Sequence, residues 1–112
     1  MLDELSKKDK KAAREIIGKG LDRDFKRGLL EFEVILKKWR SESEDDRDCY
    51  HRLYESVSQF NKYLKRTYDY MPGSRYLDVL TLQLRDQLID ATELDALSQE
   101  PKDYILRLAN RE

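Results

Sequence analysis

From Tyr50 to Met71 the apolar residues recur every three or four positions: Tyr50, Leu53, Tyr54, Val57, Phe60, Leu64, Tyr68 and Met71. At about 100° per residue that spacing gathers these side chains on one side of a helix, and it suits no strand. The pattern returns elsewhere. Phe25, Leu29, Phe32, Ile35, Leu36 and Trp39 share a face, and so do Leu77, Leu80, Leu84 and Leu88. Only four glycines and two prolines interrupt the 112 residues, which leaves room for long helices.

Charged residues make up 40% of the chain, yet 22 basic and 23 acidic groups nearly cancel. With bulky apolar residues at regular intervals, this composition describes thin amphipathic helices with charged outer faces rather than disorder. The expected fold is all-α, a single bundle or array of four to five amphipathic helices spanning 1–112. The segments 22–40, 47–70 and 75–91 are expected at its centre.

Local signals divide the helices. Ser6 suits an N-cap for a segment running to Ile17, and residues 1–14 are the part most open to fraying. Gly18 and Gly20 follow, and Asp22 suits a second cap. Residues 7–40 form either two helices or one helix with a soft glycine point. The acidic connector 41–48, SESEDDRD, carries no apolar residue; Asp45 or Asp46 suits the next cap. Pro72-Gly73-Ser74 stops the third segment, with Ser74 as a cap for a fourth that runs to about Ala91. Thr92 opens a short turn through Leu97. Glu100-Pro101 reads as a cap followed by proline at the first helical position.

Catalytic and metal chemistry find little to work with. Cys49 and His51 are two residues apart, so a helix turns them about 200° from each other and they form no dyad. One histidine and one cysteine give no metal-ligand pairing, and the acidic connector lacks a calcium loop's glycine and spacing. Gly18-Lys19-Gly20 matches neither phosphate-binding fingerprint, which leaves helix punctuation as its role. The seven tyrosines read as core rings with hydroxyls at the rim, or alternatively as the edge of a ligand groove. No enzyme and no cofactor is expected. The first residues lack a signal peptide's apolar stretch, no apolar run exceeds three residues, and a lone cysteine excludes an internal disulfide. A cytoplasmic location without membrane insertion is therefore expected.

Two segments carry a second apolar stripe. Leu30 and Val34 lie opposite the main face of 22–40, and Val79, Leu82 and Ile89 lie opposite that of 75–91. A helix wetted on one side has no use for a second stripe. These five residues are the candidate interface. Residues 1–40 carry a net charge of +4 and residues 77–112 a net of −4, so the two rims are complementary. The leading expectation is a non-catalytic protein-interaction module that binds its own copy or another protein. The alternative is nucleic-acid binding through Lys10, Lys11, Arg14, Lys19, Arg23, Lys26 and Arg27, although Glu15, Asp22 and Asp24 interleave with that patch.

Overall fold

A computed structural model describes residues 4–111, and among them the protein is all-α with no strand. Helix α1 spans Lys7–Ser41 and α2 spans Asp46–Leu64, continued by a π-helical turn at Lys65–Asp69. A 3-10 turn at Gly73–Arg75 leads into α3, Tyr76–Arg85; a second 3-10 stretch, Ala91–Ala96, precedes α4, Gln99–Ala109. Residues 1–3, part of the segment expected to fray, lie outside the described residues.

Residues 7–40 are one helix, and the glycines do not punctuate it. Gly18 faces open space, but a Cβ on Gly20 would lie 2.6 Å from Gln83 Cδ. The missing side chain admits the Gln83 amide, which donates to the Ile17 carbonyl at 3.1 Å. At Gly28 a Cβ would lie 2.6 Å from the Phe60 ring. Two of the three helical glycines therefore serve close approach.

The helix ends correct several sequence boundaries. Ser6 caps α1 as expected, its Oγ accepting from the Asp9 N–H. Asp45 caps α2 by accepting from the Arg47 and Asp48 N–H groups. Asp22 caps nothing, being inside α1. Ser74 sits in the 3-10 turn, and the residue before α3 is Arg75, with no side-chain cap. Helix α3 stops at Arg85 rather than near Ala91, because Gln87 adopts a left-handed φ of 60°. The Leu88 N–H then reaches back to the Gln83 carbonyl and the Gln87 N–H to that of Leu84, the usual pattern of a left-handed cap. Ser43, with φ 50°, closes α1 in the same way. Ser98 precedes α4, so Pro101 is the third helical residue rather than the first. It still lies in the first turn, where its missing N–H costs nothing.

The described chain divides into two compact units, one formed by the chain up to Arg23 with everything from Met71 onward, the other by Asp24–Tyr70. The first unit holds the core. Ala13, Ile16 and Ile17 from α1 are buried, as are Tyr76, Val79 and Leu80 from α3 and Ile105 from α4; Leu88, Ile89, Leu94 and Leu97 from the linking segments join them. Polar ties hold this half of α1 at two points. The buried Asp9 carboxylate accepts from the Ser98 N–H at 2.8 Å and from its hydroxyl at 3.1 Å, so residues 7–14 are anchored rather than frayed. Arg23 donates to the Leu88 carbonyl and to Glu93, whose carboxylate also closes a capping box with Asp90.

The second unit is an antiparallel hairpin of the remaining half of α1 against α2. Phe60 fills the space over Gly28 and meets Phe25 and Phe32 edge-on, at centroid distances of 6.2 and 5.9 Å. Trp39 Nε1 donates to Asp46 across the turn at 2.8 Å, and Arg52 pairs with Glu44, so the acidic connector is bonded to both helices. Yet Cys49 is this unit's one buried apolar residue. No residue of the expected core stripe from Tyr50 to Met71 is fully buried, and Tyr50, Tyr54 and Val57 are exposed, whereas the expected central segment 75–91 does carry buried core residues.

Two stability series follow. Gly18→Ala should stabilise the protein by about 0.5–1 kcal/mol, as for an open helix-interior glycine. Gly20→Ala and Gly28→Ala should instead destabilise by about 1–3 kcal/mol through overpacking. Leu94→Ala should cost about 2–5 kcal/mol, whereas Val57→Ala should cost less than about 1 kcal/mol. Urea melts check both series, and a stabilising Gly28→Ala would contradict the Gly28–Phe60 approach.

Candidate functional site

The apolar residues of the hairpin collect on one open side. Phe25, Leu29 and Phe32 from α1 and Tyr54, Val57, Ser58, Phe60, Asn61 and Leu64 from α2 line a groove of about 460 Å³. Leu29 is 65% exposed and Tyr54 64%, well beyond what a packed helix seam leaves.

Helical spacing explains the opening. On α2 and its π-helical continuation, Cys49, Leu53, Ser56, Phe60, Tyr63 and Thr67 recur at alternating four and three residues, and this seam meets α1 at Phe60–Gly28 and Tyr63–Asp24. One residue further on, Tyr50, Tyr54, Val57, Asn61 and Leu64 repeat the same spacing. On α1 the matching stripe is Phe25, Leu29, Phe32, Leu36 and Trp39. Alternating four and three is a 3.5-residue repeat, the period of helices that pack along their length in bundles. The hairpin satisfies the first seam and leaves the second uncovered.

A polar cluster sets the base of the seam. Buried Asp24 accepts hydrogen bonds on one oxygen from Tyr63 at 2.6 Å and from Tyr68 at 2.8 Å. Five α-helical residues would turn these two tyrosines about 140° apart. The π-helical turn at Lys65–Asp69, with its i→i+5 bonding, brings Tyr68 round to the same carboxylate. Burial, and then the hydrogen bond to Asp24, pushes the Tyr63 phenol far above its ordinary range, so it remains a neutral donor.

The sequence-derived interface residues separate. Leu30 and Val34 are exposed on α1, at 52% and 66%, and Leu82 on α3 at 41%. Val79 and Ile89 belong to the core of the first unit, which corrects their assignment to an interface. Val79 faces inward because α3 is covered on more than one side, and Ile89 lies beyond the end of that helix. The basic patch is likewise divided. Lys10 pairs with Glu4 at 3.5 Å and Arg23 is held by Glu93, while Lys11, Arg14, Lys19, Lys26 and Arg27 have exposed side chains. Cys49 is buried and His51 exposed. The described residues bring together no group of three or more potential metal ligands, and no described helix is long and apolar enough to cross a membrane.

No family model, curated protein or solved structure matches this chain. Sequence reasoning placed the groove residues on a shared face but read that face as core. The missed signal was the doubled seam of α2, since one neighbouring helix can satisfy only one of its two stripes.

The carboxylates that anchor α1 generate a pH prediction. Burial alone would raise the Asp9 carboxyl, but hydrogen bonds from Ser98 and Ser6 outweigh it and hold it below its ordinary 3.8. The Arg23 hydrogen bond, against opposing burial, likewise holds Glu93 below 4.5. Groups that titrate lower when folded contribute fully above those ordinary values, and the contribution is lost as pH falls through the lowered ones. The melting temperature should therefore fall as pH drops below about 4.5, and less steeply in Asp9→Asn and Glu93→Gln. Equal slopes in wild type and both variants would contradict these ties.

Proposed function

We propose that the protein is a non-catalytic helical interaction module that self-associates through the open face of its hairpin. The observation that carries this reading is the contrast between a well-buried first unit and a hairpin whose large apolar side chains remain in water. Single exposed aliphatic residues are ordinary on protein surfaces, but a continuous patch rimmed by polar groups is characteristic of interaction sites. The aromatic share of the groove also favours a protein partner, because Tyr and Phe contribute large contact area at low entropic cost.

This reading relocates the interface first expected from the sequence. Leu30 and Val34 form a narrower stripe on the outer side of α1, and Leu82 stands alone on α3. Nucleic-acid binding has weaker support. Exposed Lys11, Arg14, Lys19 and Lys26 favour it, but Arg23 is engaged and Glu15 and Asp22 lie exposed among them.

Sedimentation of the 112-residue chain tests the proposal. The wild type should associate in the micromolar range, and Leu29→Asp or Tyr54→Asp should shift it to monomer without loss of helicity. Leu30→Asp should change association far less. A wild type that stays monomeric at high micromolar concentration would sink the reading. Association abolished by Leu30→Asp alone would move the interface to the outer stripe.

A further inference from the structure

Resting on that reading of the open face as the interaction site, we infer that it also receives a helix of another protein, one with an apolar ridge and acidic flanks, which displaces the second copy. The charges around the groove carry this inference. Residues 24–70 hold ten basic and ten acidic groups, so the hairpin as a whole is neutral. Their distribution is uneven. Helical phase sets Lys26, Glu33, Lys37 and Arg40 along the outer edge of the groove on α1, just beyond the stripe of Phe25, Leu29 and Leu36. Glu33, Lys37 and Arg40 gather directly about exposed Leu36. On α2 the corresponding edge carries Arg47, Lys62 and Lys65, in the row of Ser58, which itself lines the groove. All six of these basic residues are exposed. The acidic groups on the same side are engaged: Glu33 pairs with Lys37 at 3.5 Å, and Trp39 Nε1 donates to Asp46 at the start of α2.

A neutral hairpin with basic edges selects its occupant by charge as well as by shape. Two copies set face to face bring the same basic edges together, so repulsion weakens the hold of a second copy. A helix with Glu or Asp on both flanks meets opposite charge along both edges. Shape favours a helix over a flat surface. The groove lies between antiparallel helices whose open stripes share a 3.5-residue repeat, and one apolar ridge packs between them to complete a three-helix bundle. The stripe from Tyr50 to Leu64 covers about 21 Å at 1.5 Å per residue, so roughly four helical turns fill it. Anchors three and four residues apart are the general means by which such a groove holds an amphipathic helix. An anionic membrane would meet the basic edges too, but a bilayer surface leaves a groove between helices unfilled.

Two synthetic peptides of three heptads test this against the 112-residue chain. Both carry Leu at the two core positions of each heptad, with Glu at the flanking positions of one and Lys at those of the other. In fluorescence anisotropy the Glu peptide should bind at least about tenfold tighter than the Lys peptide, a preference that shrinks as salt is added. In sedimentation it should convert dimer into a one-to-one complex. Lys26→Glu combined with Lys65→Glu, two changes at exposed positions, should erase the preference, and Leu29→Asp should weaken both peptides. Equal binding of the two peptides, or a preference untouched by the paired reversal, would overturn the inference. Pelleting with phosphatidylserine vesicles, with no binding of either peptide, would also overturn it and assign the basic edges to a membrane. A dimer that the Glu peptide fails to dissociate would remove the inferred partner and leave self-association standing. A monomeric wild type that binds the Glu peptide would do the reverse.

Discussion

A helix in a two-helix hairpin has one neighbour, and that neighbour can cover only one side of it. Everything distinctive about the second unit follows from this constraint. The seam of Cys49, Leu53, Ser56, Phe60, Tyr63 and Thr67 meets α1 where the missing side chain of Gly28 lets the Phe60 ring lie against its backbone. The adjoining stripe has no such counterpart. Its tyrosines and valine contribute little to folding while they remain hydrated, although burying each would be worth roughly 1.5–3 kcal/mol.

The first unit resolves the same difficulty by surrounding α3. Val79, Leu80 and Gln83 are buried together: α4 packs against α3, and α1 reaches it where Gly20 and the Ile17 carbonyl meet Gln83. Its polar contacts are placed where a helix needs them. Asp9 ties the first turn of α1 to the start of α4, and Arg23 satisfies the Leu88 carbonyl just beyond the left-handed cap of α3. These interactions span more than sixty residues of sequence, so they fix tertiary position as well as local structure.

Helix content and phase were legible in the sequence because both depend on spacing along the chain. Ser6 and Asp45 were found as caps, and Leu80 and Ile105 as inward-facing residues. Burial was less legible, since it depends on how many neighbours a face has. The clean stripe from Tyr50 to Met71 looked like the strongest core signal, yet none of its residues is fully buried and Tyr50, Tyr54 and Val57 are exposed. Conversely, Val79 and Ile89 looked superfluous and are buried. The glycines misled for a related reason: periodicity along one helix carries no sign of the Gln83 and Phe60 side chains that Gly20 and Gly28 accommodate. The π-helical turn had no local signal either. Its visible consequence is tertiary, the convergence of Tyr63 and Tyr68 on Asp24.

The central claim is that the hairpin lacks sufficient cover within one chain and gains it from a second copy. Native-state hydrogen exchange measured across protein concentration tests this most directly, because protection reports local opening segment by segment. Amides of α2 from Leu53 to Leu64 should be weakly protected at low concentration and gain protection as concentration rises. Those of α3 should remain strongly protected throughout. Strong, concentration-independent protection of α2 equal to that of α3 would contradict the account.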